Sequence, residues 1–347
     1  MNRATLIQGL PKVDLHTHLA GTMSAETLRE LADKAGLSVP DNVYQIENAD
    51  DFLAKLNLVV EVLKGPDDFE LITYEYLSRA ARSSNLRHCE LSFNPTLFPR
   101  QQYPDILAAI RRSAESARRE FGISSLLIPS ICRDQGAGVA EEFLDLVLAH
   151  RESDIAGIGL DGDELAAPPE QFVDVFRRAG QAGLKRTAHV TYPPASRVLY
   201  CVDELGCDRI DHGYYVLEDP KEAQTVADRQ IPLTVCYSIT CKSRGWNLES
   251  HPIGPMLAHD FNLSLGTDDE AFVATDIGNE YVKVCEGFDL SMEEVGVLLH
   301  AGVNISWADE GRKAELHSEI DVALAAATAG SISNEQTYLG WNRDLDA

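Results

Sequence analysis

Short β-branched runs recur along the 347 residues, each followed by a stretch in which apolar residues return every three or four positions. The runs at 12–18, 86–93, 124–131, 155–161, 186–191, 209–214, 232–236 and 262–267 predict strands. Between them, 24–35, 104–120, 139–150, 169–180, 195–205 and 220–228 predict amphipathic helices. Eight strands separated by helices favour an α/β architecture, a parallel (β/α)8 TIM barrel, over an open doubly wound sheet. A dinucleotide-binding sheet would carry GxGxxG after a strand, and none does so here. No Pro/Gly/Ser-rich linker divides the chain, so 1–347 reads as a single barrel domain. A long insert at 38–83 has helical apolar spacing (Phe52, Leu56, Val59, Val60, Leu63) and is expected to put extra helices over the C-terminal mouth as a lid. From about Asn334 the chain turns polar and is expected to be loosely held.

Composition narrows the picture. Apolar residues make up 44% of the chain, enough for a large core, yet no run of eighteen apolar residues exists to span a membrane. The first residues lack the apolar segment of a signal peptide, so a cytoplasmic location is expected. Thirty Lys and Arg against 55 Asp and Glu give a net charge of −25. Such a surface repels phosphate backbones and anionic lipid, which argues against nucleic acid or membrane as partners and for a small-molecule substrate. Seven scattered cysteines without a CxxC pair suggest neither a disulfide framework nor a zinc knuckle; they read as buried packing thiols. The same lack excludes a cytidine-deaminase-type site, which needs His-x-Glu and Pro-Cys-x-x-Cys.

The candidate chemistry lies at predicted strand ends. His16 and His18 are two apart on the first strand, so both imidazoles face one way and can chelate one ion. His189 ends KRTAH, His212 ends RIDH and Asp268 ends LSLGTD. Singly, each has an ordinary alternative: a strand histidine is commonly a hydrogen-bonded rim residue, and an Asp after a strand commonly caps the next helix. Five such residues at the same end of four strands fit a His3Asp set with one further histidine. A mononuclear catalytic zinc site with an open position has that composition, although other divalent metals accept the same donors.

At these residues the chain resembles the adenosine deaminase family of the amidohydrolase superfamily. KVDLHTHLAGTMSAETLRELA is similar to its opening motif, GLDGDE to its fourth-strand motif and GLKRTAH to the stretch delivering the third metal histidine. RIDHGYYVLED, SLGTDDEAF and NISWADEGRKAEL are similar to the catalytic-histidine, tandem-aspartate and C-terminal helix motifs, in the family's order from about 11 to 316. The resemblance implies one Zn2+ per chain held by His16, His18, His189 and Asp268. It implies that His212 orients the attacking hydroxide, that Asp268 also takes its proton, that Asp269 bonds a purine ring nitrogen, and that the Gly162 N–H reaches the base.

Three departures qualify it. Where the family has His-Ala-Gly-Glu, the chain has His189-Val190-Thr191-Tyr192, so the glutamate that protonates the purine ring is replaced by Tyr192. Ala20 stands where relatives carry a polar ribose contact, and Glu90-Leu91-Ser92 replaces Glu-x-Arg, which puts Ser92 at a substrate-contact position. The expected activity is therefore hydrolysis of a C–N bond in a small heterocyclic or nucleoside-like substrate other than adenosine. Two alternatives are a genuine adenosine or adenine-type deaminase with Tyr192 or Glu164 as acid, and an inactive relative that binds a ligand in the same pocket. His251-Pro252 also resembles the family, but a loop histidine beside proline is ordinarily solvated, and Cys236 and Cys241 read as packing thiols near the metal.

Overall fold

In a computed structural model, which describes residues 2–328, eight parallel strands pair in chain order from β1 to β8. They are β1 Lys12–His18, β2 Leu86–Phe93, β3 Ser124–Cys132, β4 Gly157–Asp161, β5 Lys185–Val190, β6 Arg209–His212, β7 Leu233–Val235 and β8 Leu263–Leu265. A bridge between Thr17 and Asp268 brings the last strand back to the first, which makes the (β/α)8 barrel. The helices expected after most strands are present, among them Ala25–Ala35, Tyr103–Phe121 and Pro220–Asp228. Ser24 starts the first of these by accepting the Thr27 N–H, and left-handed Gly36 ends it. The polar tail from Asn334 lies outside the described residues.

Strand ends differ from the sequence expectation. The sixth strand stops at His212 because Gly213 turns left-handed (φ 78°), and the seventh and eighth keep only three residues each. Their apolar patterns run on into the catalytic-end loops, which are buried without being laddered. Inside the lower barrel the core is charged as well as apolar. Glu90 on β2 accepts from Arg209 on β6 at 2.5 Å; Arg209 also bonds the Leu15 carbonyl at 2.9 Å and lies over the Trp307 ring. Both side chains are fully buried, so each charge is stabilised by the other and by these hydrogen bonds.

The 38–83 insert holds helices Ala49–Glu61 and Pro66–Ser84. Val59 is buried, while Phe52, Leu56, Val60 and Leu63 line a cavity at the C-terminal ends of the strands. Among the described residues no helix is long and apolar enough to cross a membrane. The cysteines carry no disulfide; five are buried as expected, whereas Cys132 and Cys241 are half exposed.

Candidate active site

Alternation along β1 turns Asp14, His16 and His18 to the barrel axis together. Asp14 holds this strand end in place: it accepts the His16 N–H (3.2 Å) and the Thr267 hydroxyl (2.7 Å). His189 Nε2 comes within 3.2 Å of His16 Nε2 and 3.1 Å of His18 Nε2. Asp268 Oδ1 lies 3.7 Å from His16 Nε2 and 3.5 Å from His18 Nε2, and Asp268 Oδ2 lies 3.5 Å from His212 Nε2. The donor atoms of His16, His18, His189 and Asp268 all fall within 4.8 Å of one another.

The outer nitrogens set these histidines apart from ordinary buried ones. Thr234 donates its hydroxyl proton to Asp211 Oδ1 (2.7 Å), so at 3.0 Å its oxygen can only accept from His16 Nδ1. That places the His16 proton on Nδ1 and aims the Nε2 lone pair inward. His189 Nδ1 faces Asp211 Oδ2 at 3.4 Å, and His18 Nδ1 faces Asp161 Oδ2 at 3.7 Å, so both rings are biased the same way. Three inward imidazole lone pairs and one carboxylate form a donor set that fits a divalent cation. Burial works against charge on Asp268, but His16, His212, His18 and His189 together hold it below the usual carboxylate range. Burial also holds the His18 imidazole down, to about 3.

Asp211, Asp161, Thr234 and Asp14 were not singled out from the sequence, although RIDH and GLDGDE contain two of them. In a regular strand Asp211 and His212 would face opposite ways. A left-handed backbone at His212 (φ 69°) lets both address the same cluster. Asp268 is left-handed too (φ 61°); it caps no helix, and Asp269 follows it into the cavity. Gly21 was likewise missed: a Cβ there would lie 1.8 Å from Asp269 Oδ1.

The cavity holds about 460 Å³ and is walled by every substrate-side residue expected from the sequence. Ala20, Ser92, Gly162, Asp269 and Tyr192 all line it, with His212 and Asp268 at the histidine-cluster end. Gly162 has φ 87°, and its loop is held where Asp134 accepts the Asp163 N–H (2.8 Å). Glu164 lines the wall, but both its oxygens are engaged: Oε1 with Arg197 (2.7 Å), Oε2 with the Thr191 N–H (2.6 Å) and hydroxyl (3.0 Å). His251 corrects the expectation of a solvated loop residue. It is buried among Tyr214, Tyr237 and Trp246, its Nε2 2.8 Å from Thr240 Oγ1. Cys236 is fully buried, as expected of a packing thiol.

Residues 11–323 match the adenosine deaminase family. The chain belongs to that family. Its members are hydrolases of C–N bonds, and so is this protein. The adenine deaminase of Psychrobacter cryohalolentis is 29% identical over 330 residues, covering 92% of this chain and 99% of that protein. The adenine deaminase of Schizosaccharomyces pombe is 31% identical, covering 93% of each. The crystal structure of an adenine deaminase from Arthrobacter aurescens superposes with a TM-score of 0.85 at 31% identity, over 91% of this chain and 100% of that one. A Burkholderia ambifaria amidohydrolase with bound Zn gives 0.81 at 30% identity, over 95% and 96%.

Proposed function

We propose that this family member is a zinc-dependent deaminase of a small amino-heterocycle of the aminopurine kind, taken without the ribose that adenosine carries. The convergence of three imidazole Nε2 atoms and Asp268, with His212 against the second carboxylate oxygen, carries this reading. Relatives named adenine deaminase, matched along nine-tenths or more of both chains, support an aminopurine without ribose over a nucleoside. Ala20 on the cavity wall offers no polar group to a ribose hydroxyl, which supports the same choice.

His16, His18, His189 and Asp268 would hold the zinc, which would supply a Lewis acid able to bring the pKa of a water towards ~7. Asp268 is the base that accepts the attacking water's proton and later returns it to the departing amine. His212, 3.5 Å from that carboxylate, donates to the developing negative charge. Asp269 and the Gly162 N–H grip the ring. With both oxygens of Glu164 committed, the Tyr192 hydroxyl, which has no protein hydrogen-bond partner among the described residues, is the group left to donate to a ring nitrogen. The helices at 38–83 act as the lid.

Metal analysis and ammonia release from adenine, adenosine and pterins test the proposal. We expect about one divalent ion per chain. We also expect kcat/KM on a ribose-free amino-heterocycle ~10–10²-fold above that on adenosine, since a ribose hydroxyl would be left unpaired beside Ala20. Adenosine turnover at an ordinary enzyme rate would refute the substrate assignment.

A further inference from the structure

The cavity wall includes six acidic side chains and a single Lys or Arg, Arg244. This residue ends helix Tyr237–Arg244 and is half-buried. Its guanidinium lies over the Tyr192 ring, 4.1 Å from the centroid. Among the described residues no carboxylate pairs with it, whereas Arg79, Arg111, Arg178, Arg197 and Arg209 each hold one. In a chain with 55 acids and 30 bases, an arginine at a cavity left without an acid is conspicuous. Glu164, on the same wall, is taken by Arg197.

Stacking uses only the faces of a guanidinium. Its five N–H groups lie in the plane, so resting on the Tyr192 ring, 4.1 Å from its centroid, can steady the fork without consuming a donor. A planar fork held this way is suited to a bidentate bond with a carboxylate or phosphate. The acids on the wall do not fill that role. Asp268 and Asp161 face imidazoles, Asp134 accepts the Asp163 N–H, Asp163 accepts the Leu165 N–H, and Asp269 sits against Gly21. The cavity is also roomy for a bare bicyclic base, at about 460 Å³.

We propose that the substrate is an amino-heterocycle carrying an anionic substituent, carboxylate or phosphate, and that Arg244, braced by Tyr192, receives that anion. This rests on the deaminase reading above and names the substrate class within it. It also gives Tyr192 a second duty, as the platform on which the anion-binding fork lies.

The test uses 9-ethyladenine, 9-(2-carboxyethyl)adenine and 9-(2-phosphonoethyl)adenine as substrates of the metal-loaded protein. The three matching hypoxanthines serve as ligands in calorimetry. In wild type at least one anionic compound should exceed the neutral one by about 10-fold or more in kcat/KM, and its hypoxanthine should bind with a Kd about 10-fold or more lower, the size expected of a charge-assisted pair. The better of the two identifies the anion. Arg244→Gln should shrink the preference to about 2-fold, and Arg244→Lys, a point charge without the fork, should fall between. If the glutamine variant does not fold, the lysine variant and Tyr192→Leu, which removes the platform, must still erode the preference. An equal preference in wild type and variants, or none in wild type, overturns the inference. Ammonia release from none of the adenines would instead count against the deaminase reading, and the calorimetric comparison would still decide for or against Arg244.

Discussion

His212 and Asp268 each owe their position to a left-handed backbone torsion, 69° and 61°, that β-propensity would not select. Such conformations cost of order 1–3 kcal/mol and persist where surrounding contacts impose them. At Asp268 those contacts are visible: its N–H donates to the His16 carbonyl (2.8 Å), and its carbonyl accepts from the His18 N–H (3.1 Å). One segment thus binds β1 through its backbone and presents a carboxylate to the same histidines. His16 belongs to the four-donor cluster with His18, His189 and Asp268, whereas His212 lies outside that cluster, its Nε2 3.5 Å from the second oxygen of Asp268. Substituting each should therefore give different losses. His16→Ala should strip most of the metal, and His212→Ala should keep it near wild-type content while turnover falls ~10²–10³-fold. Metal analysis beside steady-state rates checks both. A metal-free His212→Ala protein would make it a ligand after all.

At the scale of elements, the segment from Cys236 to Ile253 carries Arg244 to the cavity and is folded around His251. Its Nδ1 accepts the Ile253 N–H (3.2 Å), so the ring proton sits on Nε2 and is donated to Thr240, whose hydroxyl donates in turn to the Cys236 carbonyl (2.5 Å). All three groups are satisfied only while the imidazole is neutral. Burial pushes its pKa down from about 6.5 to about 4. Between those values the unfolded chain takes up a proton that the folded chain refuses. Stability is therefore lost as pH falls from about 6.5 towards 4. Near pH 5 the loss should be about 2 kcal/mol. Urea midpoints at pH 7 and pH 5 should drop further for wild type than for His251→Gln, whose amide can still donate to Thr240. Identical pH sensitivity in the two proteins would mean that His251 titrates as if exposed.

Across the whole molecule, the ring of strands is joined at β1 and β8 by the Thr17–Asp268 bridge. The four candidate donors come from β1, from β5 and from the loop after β8, so an ion bound by them would clamp the seam of the barrel. A ligand present at ~1,000 times its dissociation constant stabilises the fold by about 4 kcal/mol. Chelation should accordingly lower the melting temperature by about 5–10 °C, given the entropy of unfolding of a chain this size. Differential scanning calorimetry with and without chelator checks this, with His16→Ala as the control that should show little further shift. A wild-type protein indifferent to chelator would mean that the ion contributes nothing to barrel closure.

The sequence by itself determined the number and order of strands, because a buried parallel strand must be a short apolar run and the helix behind it must be apolar every third or fourth position. It also picked out the residues that converge at one mouth of the barrel: two histidines at strand spacing and three polar residues at strand ends are legible once barrel chemistry is assigned to that mouth. Only the tertiary structure decided the rest, since those relations join residues distant in the chain. The orientation of His16 depends on Thr234 and Asp211, and the commitment of Glu164 depends on Arg197. His251 looked exposed beside its proline, yet aromatic rings from three segments enclose it. Arg244 carried no pattern at all, being one charged residue at the end of a short helix. Its meaning comes from the ring beneath it and from the lack of an acid beside it, and neither can be read from a one-dimensional string.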